Sequence, residues 1–209
     1  DLKQSLTVTE LGLKYSVQPL KNQNSGLFLD MREGRRWVKQ NSQAKRVLNL
    51  FSYTCGFSVA AMAGGADGVV NLDMSRGALS TGRQNHRLNQ QSVVRVKFLG
   101  HDLFRSWGKL KREGPYDLVI IDPPSFQRGS FVATDDYRKV LKRLPDLTAD
   151  GGEVLLCLNY PQLGSDFLMQ LVEDCCPEFI FCERIANPDD FPDQDPEQAL
   201  KVLLFKKAG

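Results

Sequence analysis

The chain has 209 residues, which is long enough for one well-buried α/β domain. Its 42% hydrophobic and 25% charged residues are typical of a globular protein, and its net charge of +2 allows a polyanionic partner without requiring one. No run of residues has the length of a membrane span and no signal peptide is visible, so we expect no membrane association.

The cysteine and histidine content argues against a metal site. The five cysteines show no ligand spacing, and His86 and His101 are the only histidines. An odd, scattered set of thiols suits a reducing compartment. We therefore predict a cytoplasmic protein without a bound metal.

The predicted elements begin with a small hairpin and a helix. Residues 6–20 alternate loosely around Glu10-Leu11-Gly12, which predicts the hairpin. Asp30 is a plausible N-cap for a helix over residues 30–40. Basic residues then recur in segments 32–46, 105–112 and 138–143. This pattern allows a polyanionic partner, but for any one cluster taken alone it favours a solvated helix face.

A regular alternation of strands and helices follows. Strands are predicted at 46–50, 68–72, 93–99, 117–121, 153–158, 179–184 and 201–205. Helices are predicted near 55–64, 75–89, 102–111, 134–148 and 165–175, the fourth with Tyr137, Val140, Leu141, Leu144 and Leu147 on one face. Strands separated by helices predict a mostly parallel sheet with helices on both faces. Binding residues are then expected at the carboxyl ends of the strands.

Two loops at strand ends are suited to a nucleotide-like ligand. Gly56, at the first strand-to-helix turn, lets a ligand approach the backbone and the free N–H groups of the helix. This loop has a single glycine, which favours a small anionic group over a pyrophosphate. Asp73 ends the second strand, where a carboxylate can accept both hydroxyls of a ribose, and Met74 can pack against an adenine.

Two further carboxylates follow the next strands. Asp102 can accept a hydrogen bond from an adenine amine or cap the following helix, and the sequence favours neither. Asp122 opens the loop Asp122-Pro123-Pro124-Ser125-Phe126, whose prolines end the strand abruptly. A carboxylate, two free carbonyls and an aromatic ring at this place suit a flat heteroaromatic substrate.

These motifs together resemble the class I S-adenosylmethionine-dependent methyltransferases, and more narrowly the bacterial 23S ribosomal RNA large-subunit methyltransferases of the RlmI and RlmK type. The matching stretches are Ser25-Gly26-Leu27-Phe28-Leu29-Asp30-Met31-Arg32, Leu48-Asn49-Leu50-Phe51-Ser52-Tyr53-Thr54, Val70-Asn71-Leu72-Asp73-Met74-Ser75, Arg83-Gln84-Asn85 with Leu88-Asn89, and Asp122-Pro123-Pro124-Ser125-Phe126. The resemblance covers nearly the whole chain, and the combination of motifs is quite specific to this group.

The resemblance implies a Rossmann-like α/β fold. Its seven-strand sheet would have the order 3-2-1-4-5-7-6, with the last strand antiparallel. A β-hairpin extension would occupy residues 1–29 and the methyltransferase domain residues 30–209. The chain lacks the separate N-terminal RNA-binding domain of the family, so we expect a fragment or the use of a partner.

The resemblance also implies S-adenosyl-L-methionine as cofactor and large-subunit ribosomal RNA as partner. In the family, the methionyl end of the cofactor lies against the loop matching residues 51–56, and the residues matching Asp73 and Asp102 lie near the ribose and the adenine. The candidate cofactor-binding residues are Phe28, Asp30, Arg32, Phe51, Ser52, Tyr53, Gly56, Phe57, Asp73, Met74, Asp102 and Asp122. One departure is Cys55, which replaces the usual glycine and is expected to narrow the loop.

The methylated atom is predicted from the residue after the fifth strand. Methylation of carbon-5 of a pyrimidine needs a thiolate that adds to the ring. The RlmI branch has a cysteine at this point, where this chain has Asn159, and Cys157 is interpreted as a core residue. A purine nitrogen is already nucleophilic and needs only alignment. The pair Asn159-Tyr160 resembles the RlmK branch, and this resemblance implies a guanine N7-like target, which we favour over cytosine carbon-5.

In this hypothesis four residues act on the target base. Asp122 and the carbonyl of Pro123 orient the edge of the base, Phe126 stacks on its face, and Asn159 assists. Two other classes of protein remain as alternatives. An NAD-type oxidoreductase is disfavoured by the single-glycine loop, and an RNA-binding module with the same fold but no catalysis is disfavoured by the intact cofactor and target loops.

Overall fold

A computed structural model describes residues 5–20, 24–124, 126–127, 131–192 and 194–209. The side chains of residues 126, 127 and 131–133 lie outside this description. Within the described part of the chain, no helix is both long and apolar enough to span a membrane.

Eleven strands and seven α-helices make up the described structure. The strands are β1 (Leu6–Glu10), β2 (Leu13–Val17), β3 (Arg46–Leu50), β4 (Gly68–Leu72), β5 (Val96–Leu99), β6 (Tyr116–Ile121), β7 (Phe126–Gln127), β8 (Phe131–Val132), β9 (Thr148–Leu158), β10 (Phe179–Arg184) and β11 (Lys201–Lys207). The helices are α1 (Arg32–Asn41), α2 (Gly56–Ala63), α3 (Arg76–Leu88), α4 (Trp107–Glu113), α5 (Ala133–Leu141), α6 (Leu144–Leu147) and α7 (Ser165–Cys175). Short 3₁₀ turns at Leu29–Met31 and Leu103–Arg105 precede α1 and α4.

Seven of the strands form one sheet, in the order β5-β4-β3-β6-β9-β11-β10. Numbered along the chain within the sheet, this order is 3-2-1-4-5-7-6. Strand β11 runs antiparallel to both of its neighbours, and the other strands are parallel to one another. The predicted α/β methyltransferase-type fold is confirmed.

The core lies on both faces of this sheet. Val47 and Leu48, adjacent on β3, belong to different hydrophobic clusters, because successive side chains of a strand point to opposite faces. The run Leu118–Ile121 of β6 is completely buried, as expected for a strand covered by helices on both sides. The predicted apolar face of residues 137–147 is also buried, although the helix is interrupted between α5 and α6.

Some element boundaries differ from the predictions. The helix expected from Asp30 begins only at Arg32, and Asp30 lies in the preceding 3₁₀ turn, so its predicted role as N-cap is wrong. Strand β5 begins at Val96 instead of residue 93, and β9 begins at Thr148 instead of residue 153. Tyr116 of β6 pairs with Thr148 and Leu118 pairs with Glu153, so the extra residues 149–152 of β9 form an irregularity in the pairing with β6.

The N-terminal hairpin packs onto helix α3 through two asparagines. The Ser16 N–H donates to Asn85 Oδ1 at 2.8 Å, and the Lys14 N–H donates to Asn89 Oδ1 at the same distance. Asn89 Nδ2 donates back to the Lys14 carbonyl at 2.7 Å, so its amide pairs with β2 as a neighbouring strand would. Hairpin residues also share a hydrophobic cluster with the sheet. The division of the chain into residues 1–29 and 30–209 stays a prediction.

A buried ion pair also holds the hairpin. Arg35 on α1 donates through Nε and Nη2 to the two carboxylate oxygens of Glu10, at 2.6 and 2.8 Å. The same Nη2 donates to the Phe28 carbonyl at 2.8 Å. Arg35 is only 3% exposed, so its charge depends on Glu10 for compensation.

Substitution of Glu10 by leucine should therefore strongly destabilise the protein. The change leaves the Arg35 guanidinium buried without a counter-charge, and we expect a loss of roughly 3–5 kcal/mol in the free energy of unfolding. Urea denaturation would measure the loss. Glu33→Leu is the control, because Glu33 pairs with Arg32 and Arg36 near the surface and its loss should cost less than about 1 kcal/mol. Equal losses in the two variants would contradict the prediction.

Candidate active site

The carboxyl ends of the parallel strands open into one cavity of about 730 Å³. The loops after β3, β4, β5 and β6 all contribute to its wall, together with the segment before α1 and the end of β9. The predicted site residues that line it are Phe28, Asp30, Phe51, Ser52, Tyr53, Gly56, Phe57, Asp73, Met74, Asp102, Asp122, Pro123 and Asn159. The structure thus brings thirteen predicted residues to one place.

Arg32 is not among the described residues that line the cavity. Its guanidinium donates to Glu33 at 3.1 Å and to Asp190 at 2.5 Å. Arg35, three residues further along α1, lines the cavity in its place. The role of Arg32 in covering the cofactor stays a prediction. The aromatic stacking predicted for Phe126 concerns a side chain outside the described residues.

The loop after β3 has an unusual backbone. Phe51, Tyr53 and Cys55 all have positive φ angles, of 56°, 45° and 63°. Left-handed residues other than glycine are uncommon, and the surrounding structure must hold them in place. Thr54 Oγ1 donates to the Gly26 carbonyl at 2.6 Å, and Asn85 Nδ2 on α3 donates to the Thr54 carbonyl at 2.9 Å. The loop is therefore anchored on two sides.

The Cys55 side chain points away from the ligand side of this loop. It is completely buried and is absent from the described lining of the cavity. Its sulfur lies beside Gly82 of α3, where an added Cβ would come within 2.4 Å of Sγ. The expectation that Cys55 narrows the loop is wrong for the cavity side, because the missing side chain at Gly82 leaves space for the thiol.

Asp73 is held at the end of β4 by backbone donors. Its carboxylate accepts the Tyr53 N–H at 2.8 Å and the Ser75 N–H at 2.7 Å. Each carboxylate oxygen keeps capacity for another hydrogen bond. Met74 beside it is 53% exposed, and the Phe28 and Tyr53 rings pack 5.7 Å apart. A fixed acceptor beside exposed apolar groups can bind a sugar diol and an attached ring.

Asp102 caps the element that follows it, which was one of its two predicted roles, and it also lines the cavity. Its carboxylate accepts the Phe104 N–H at 2.7 Å and so caps the 3₁₀ turn Leu103–Arg105. Phe104 lines the cavity as well and was missed by sequence reasoning. The available signal was an aromatic residue two positions after a carboxylate at a strand end.

Asp122 is an acidic residue of the cavity whose pKa is strongly raised. Burial raises the pKa of its carboxyl to about 7, the nearby Asp30 carboxylate raises it further, and the Arg35 guanidinium acts in the opposite direction. The site can therefore hold or release a proton near neutral pH. Pro123, which follows, is buried and has no N–H, so its carbonyl is the polar backbone group that it offers.

None of the five cysteines is among the described residues that line the cavity. Cys157 is completely buried on β9, and burial raises the pKa of its thiol well above the usual value. A thiol in this state remains protonated at neutral pH and is a poor nucleophile. The structure thus agrees with the interpretation of Cys157 as a core residue.

Comparison with known proteins identifies the family. A family model described as S-adenosylmethionine-dependent methyltransferase matches residues 2–206. "Ribosomal RNA large subunit methyltransferase I" of Aeromonas salmonicida is 35% identical over 171 residues, which are 80% of this chain and 43% of that protein. "Ribosomal RNA large subunit methyltransferase K/L" of a Shewanella strain, MR-4, is 38% identical over 172 residues, 78% of this chain and 24% of that protein.

The crystal structure of "SMU.776, a putative methyltransferase complexed with SAH" superimposes with a TM-score of 0.90 at 27% identity, over 97% of this chain and 56% of the other. The chain spans about half the length, or less, of the curated relatives given above. The family model nevertheless covers nearly all of it, including every loop of the cavity. The chain therefore belongs to the S-adenosylmethionine-dependent methyltransferases.

Proposed function

We propose that this protein transfers a methyl group from S-adenosylmethionine to a base of large-subunit (23S) ribosomal RNA, with a purine nitrogen of the guanine N7 type as the preferred acceptor. The observation that carries the proposal is that Asp73 and the segment Asp122-Pro123-Pro124 line the same cavity. The names of the two curated relatives support ribosomal RNA as the substrate. A cytoplasmic location belongs to the same proposal.

The cavity residues fit the cofactor. Asp73 would accept the ribose hydroxyls, since its carboxylate is already oriented by two backbone donors. Met74 and Phe104 offer apolar surface for the adenine, and Gly56 leaves the start of α2 open to the methionyl end. When bound, S-adenosylmethionine supplies a methyl group on a positively charged sulfur, ready for transfer to a nucleophile.

The residues on the target side fit a purine nitrogen better than a pyrimidine carbon. Asp122, Pro123 and Asn159 offer polar groups that can orient the edge of a base. A ring nitrogen carries its own lone pair, so alignment is sufficient. Carbon-5 of cytosine needs a covalent thiolate, and the described lining of the cavity contains no cysteine.

The rim of the cavity carries a positive charge suited to RNA. Lys139 Nζ on α5 lies 5.6 Å from the centre of the Phe104 ring, which lines the cavity. The side chain of Lys139 is 63% exposed and also pairs with Asp136 at 2.7 Å, and the exposed Lys142 follows it on the surface. Phosphates near this rim would bring a base to the cavity, and a paired base would have to leave its helix.

A methylation assay with isotopically labelled cofactor and protein-free large-subunit RNA tests the proposal. We expect labelled methyl groups on a purine, identified by mass spectrometry of the nucleosides. Cys157→Ala should keep the transfer, as should the control Cys182→Ala, whose cysteine is exposed on β10.

Three results would contradict the proposal. One is 5-methylcytosine as the product, and another is complete loss of transfer in Cys157→Ala with cofactor binding intact. The third is tight, salt-sensitive RNA binding without transfer, which would favour a module that has lost catalysis.

A further inference from the structure

A chain of buried polar side chains leads from the cavity through the core to the end of α3. It joins Asn49 on β3, Asn71 on β4, Ser58 on α2, His86 on α3 and Gln91. Asn49 Nδ2 lies 2.9 Å from Asn71 Oδ1, and Asn71 Nδ2 lies 3.0 Å from Ser58 Oγ. Ser58 Oγ lies 3.0 Å from His86 Nε2, and His86 Nδ1 lies 2.7 Å from Gln91 Oε1. The first four residues are at most 1% exposed.

The hydrogen bonds of this chain have one consistent direction, which begins at Gln91. The Gln91 Nε2 donates to the Val59 carbonyl at 2.9 Å, so Oε1 accepts from His86 Nδ1–H. A neutral imidazole then presents Nε2 as an acceptor, and the Ser58 hydroxyl must donate to it. Burial lowers the pKa of His86, which favours this neutral form.

The same order of donors and acceptors continues from Ser58 to Asn49 at the cavity. With its proton given to His86, Ser58 Oγ accepts from Asn71 Nδ2, and Asn71 Oδ1 accepts from Asn49 Nδ2. The Asn49 amide nitrogen is therefore turned toward the neighbouring strand. Asn49 Oδ1 has no hydrogen-bond partner among the described residues, although Asn49 lines the cavity. A buried acceptor without a donor costs about 1–3 kcal/mol, so a ligand that supplies a donor gains from this atom.

The surroundings of Asn49 favour a cationic donor. Asn49 pairs in register with Ile120 of β6, and Asp122, two residues further along the chain, lines the same cavity as Asn49. Asp30 also lines the cavity. Two carboxyl groups near an unpaired carbonyl oxygen attract an ammonium group and repel a carboxylate.

We propose that the Gln91–His86–Ser58–Asn71 chain holds Asn49 Oδ1 toward the cavity as an acceptor for the ammonium group of the cofactor's amino-acid end, with His86 as a positioning residue. The inference rests on the proposed function for the identity of the cofactor. It assigns a role to His86, which lies in the core and does not line the cavity.

Calorimetric titration with two ligands tests the inference. S-adenosylhomocysteine carries the amino-acid end, whereas 5′-methylthioadenosine lacks it. In Asn49→Leu the affinity for S-adenosylhomocysteine should fall about ten- to a hundred-fold, while the affinity for methylthioadenosine stays unchanged. In Ser58→Ala, which cuts the chain between Asn71 and His86, a smaller loss is expected, about three- to ten-fold, again only for S-adenosylhomocysteine.

The control is Ser42→Ala. Ser42 is also completely buried, but its hydroxyl donates to the Val38 carbonyl at the end of α1, outside the polar chain. This variant should bind both ligands as the wild type does. Equal losses for both ligands in Asn49→Leu would overturn the inference, and so would a Ser58→Ala variant that matches the control. Ser58→Ala decides the question if Asn49→Leu does not fold. Wild-type binding of S-adenosylhomocysteine without methyl transfer to RNA would refute the proposed function and leave this inference standing.

Discussion

Asp122→Asn is expected to be more stable relative to the wild type at pH 8 than at pH 4.5. In the folded protein the Asp122 carboxyl has a pKa of about 7, above the usual value of 3.8. At pH values between 3.8 and about 7, the Asp122 carboxyl has lost its proton in the unfolded chain but keeps it in the folded protein. Rising pH therefore favours the unfolded state, and the contribution of Asp122 to stability is lost as pH rises to 7. Over the whole titration, the contribution of Asp122 to the free energy of unfolding changes by a few kcal/mol, roughly 4 at most.

Urea denaturation of both proteins at pH 4.5 and pH 8 measures this effect. The difference in unfolding free energy between wild type and Asp122→Asn isolates the titration, because the other carboxyl groups are common to both. Asp67→Asn is the control, since Asp67 is exposed and its pair with Arg95 is long, at 3.7 Å. A pH-independent difference for Asp122→Asn would show that its carboxyl is ionised throughout this range.

The same titration predicts a pH dependence of cofactor binding. S-adenosylmethionine carries positive charge, and a cation in the cavity favours the ionised form of Asp122. Its affinity should rise as pH increases through 7 in the wild type and change little in Asp122→Asn. Isothermal titration across this range would show the contrast.

Much of the sheet could be predicted because its strands are short apolar runs bounded by turn residues. The bounds of β3, β4 and β10 agree with prediction, and a parallel sheet brings its loops to one edge whatever their sequence. The position of the cavity therefore followed from the order of strands and helices. This explains why residues as distant in sequence as Phe28 and Asn159 could both be predicted to line it.

Side-chain partners between distant segments could not be predicted in this way. The choice of Arg35 over Arg32 depends on the 3₁₀ turn before α1 and on the position of Glu10, neither of which has a clear sequence signal. Asn85 was noticed only as part of a family motif, and its bonds to Ser16 and Thr54 explain why that position needs an amide. Such contacts depend on the final packing and not on local patterns.

Gly82→Ala is expected to destabilise the protein, although alanine is normally better than glycine within a helix by about 1 kcal/mol. The new Cβ would lie 2.4 Å from Cys55 Sγ and 3.3 Å from the Thr54 carbonyl oxygen. Cys55 has little freedom to move, because its N–H bonds the Ser52 carbonyl at 2.7 Å and its own carbonyl accepts from Val59 at 3.0 Å. We expect a loss of roughly 2–3 kcal/mol, measured by urea denaturation.

Gly77→Ala is the control within the same helix. The nearest atom to its added Cβ would be Ser75 Oγ at 3.9 Å, so this variant should be neutral or slightly stabilised. The double variant Cys55→Gly/Gly82→Ala should recover most of the lost stability, since glycine at 55 removes the clashing sulfur and accepts the φ of 63° without strain. A Gly82→Ala variant as stable as the control, or a double variant no better than Gly82→Ala, would contradict this reasoning. Recovery would mean that a bulky residue in the cofactor loop is tolerated because Gly82 leaves space for it, so that the two positions are coupled through one contact.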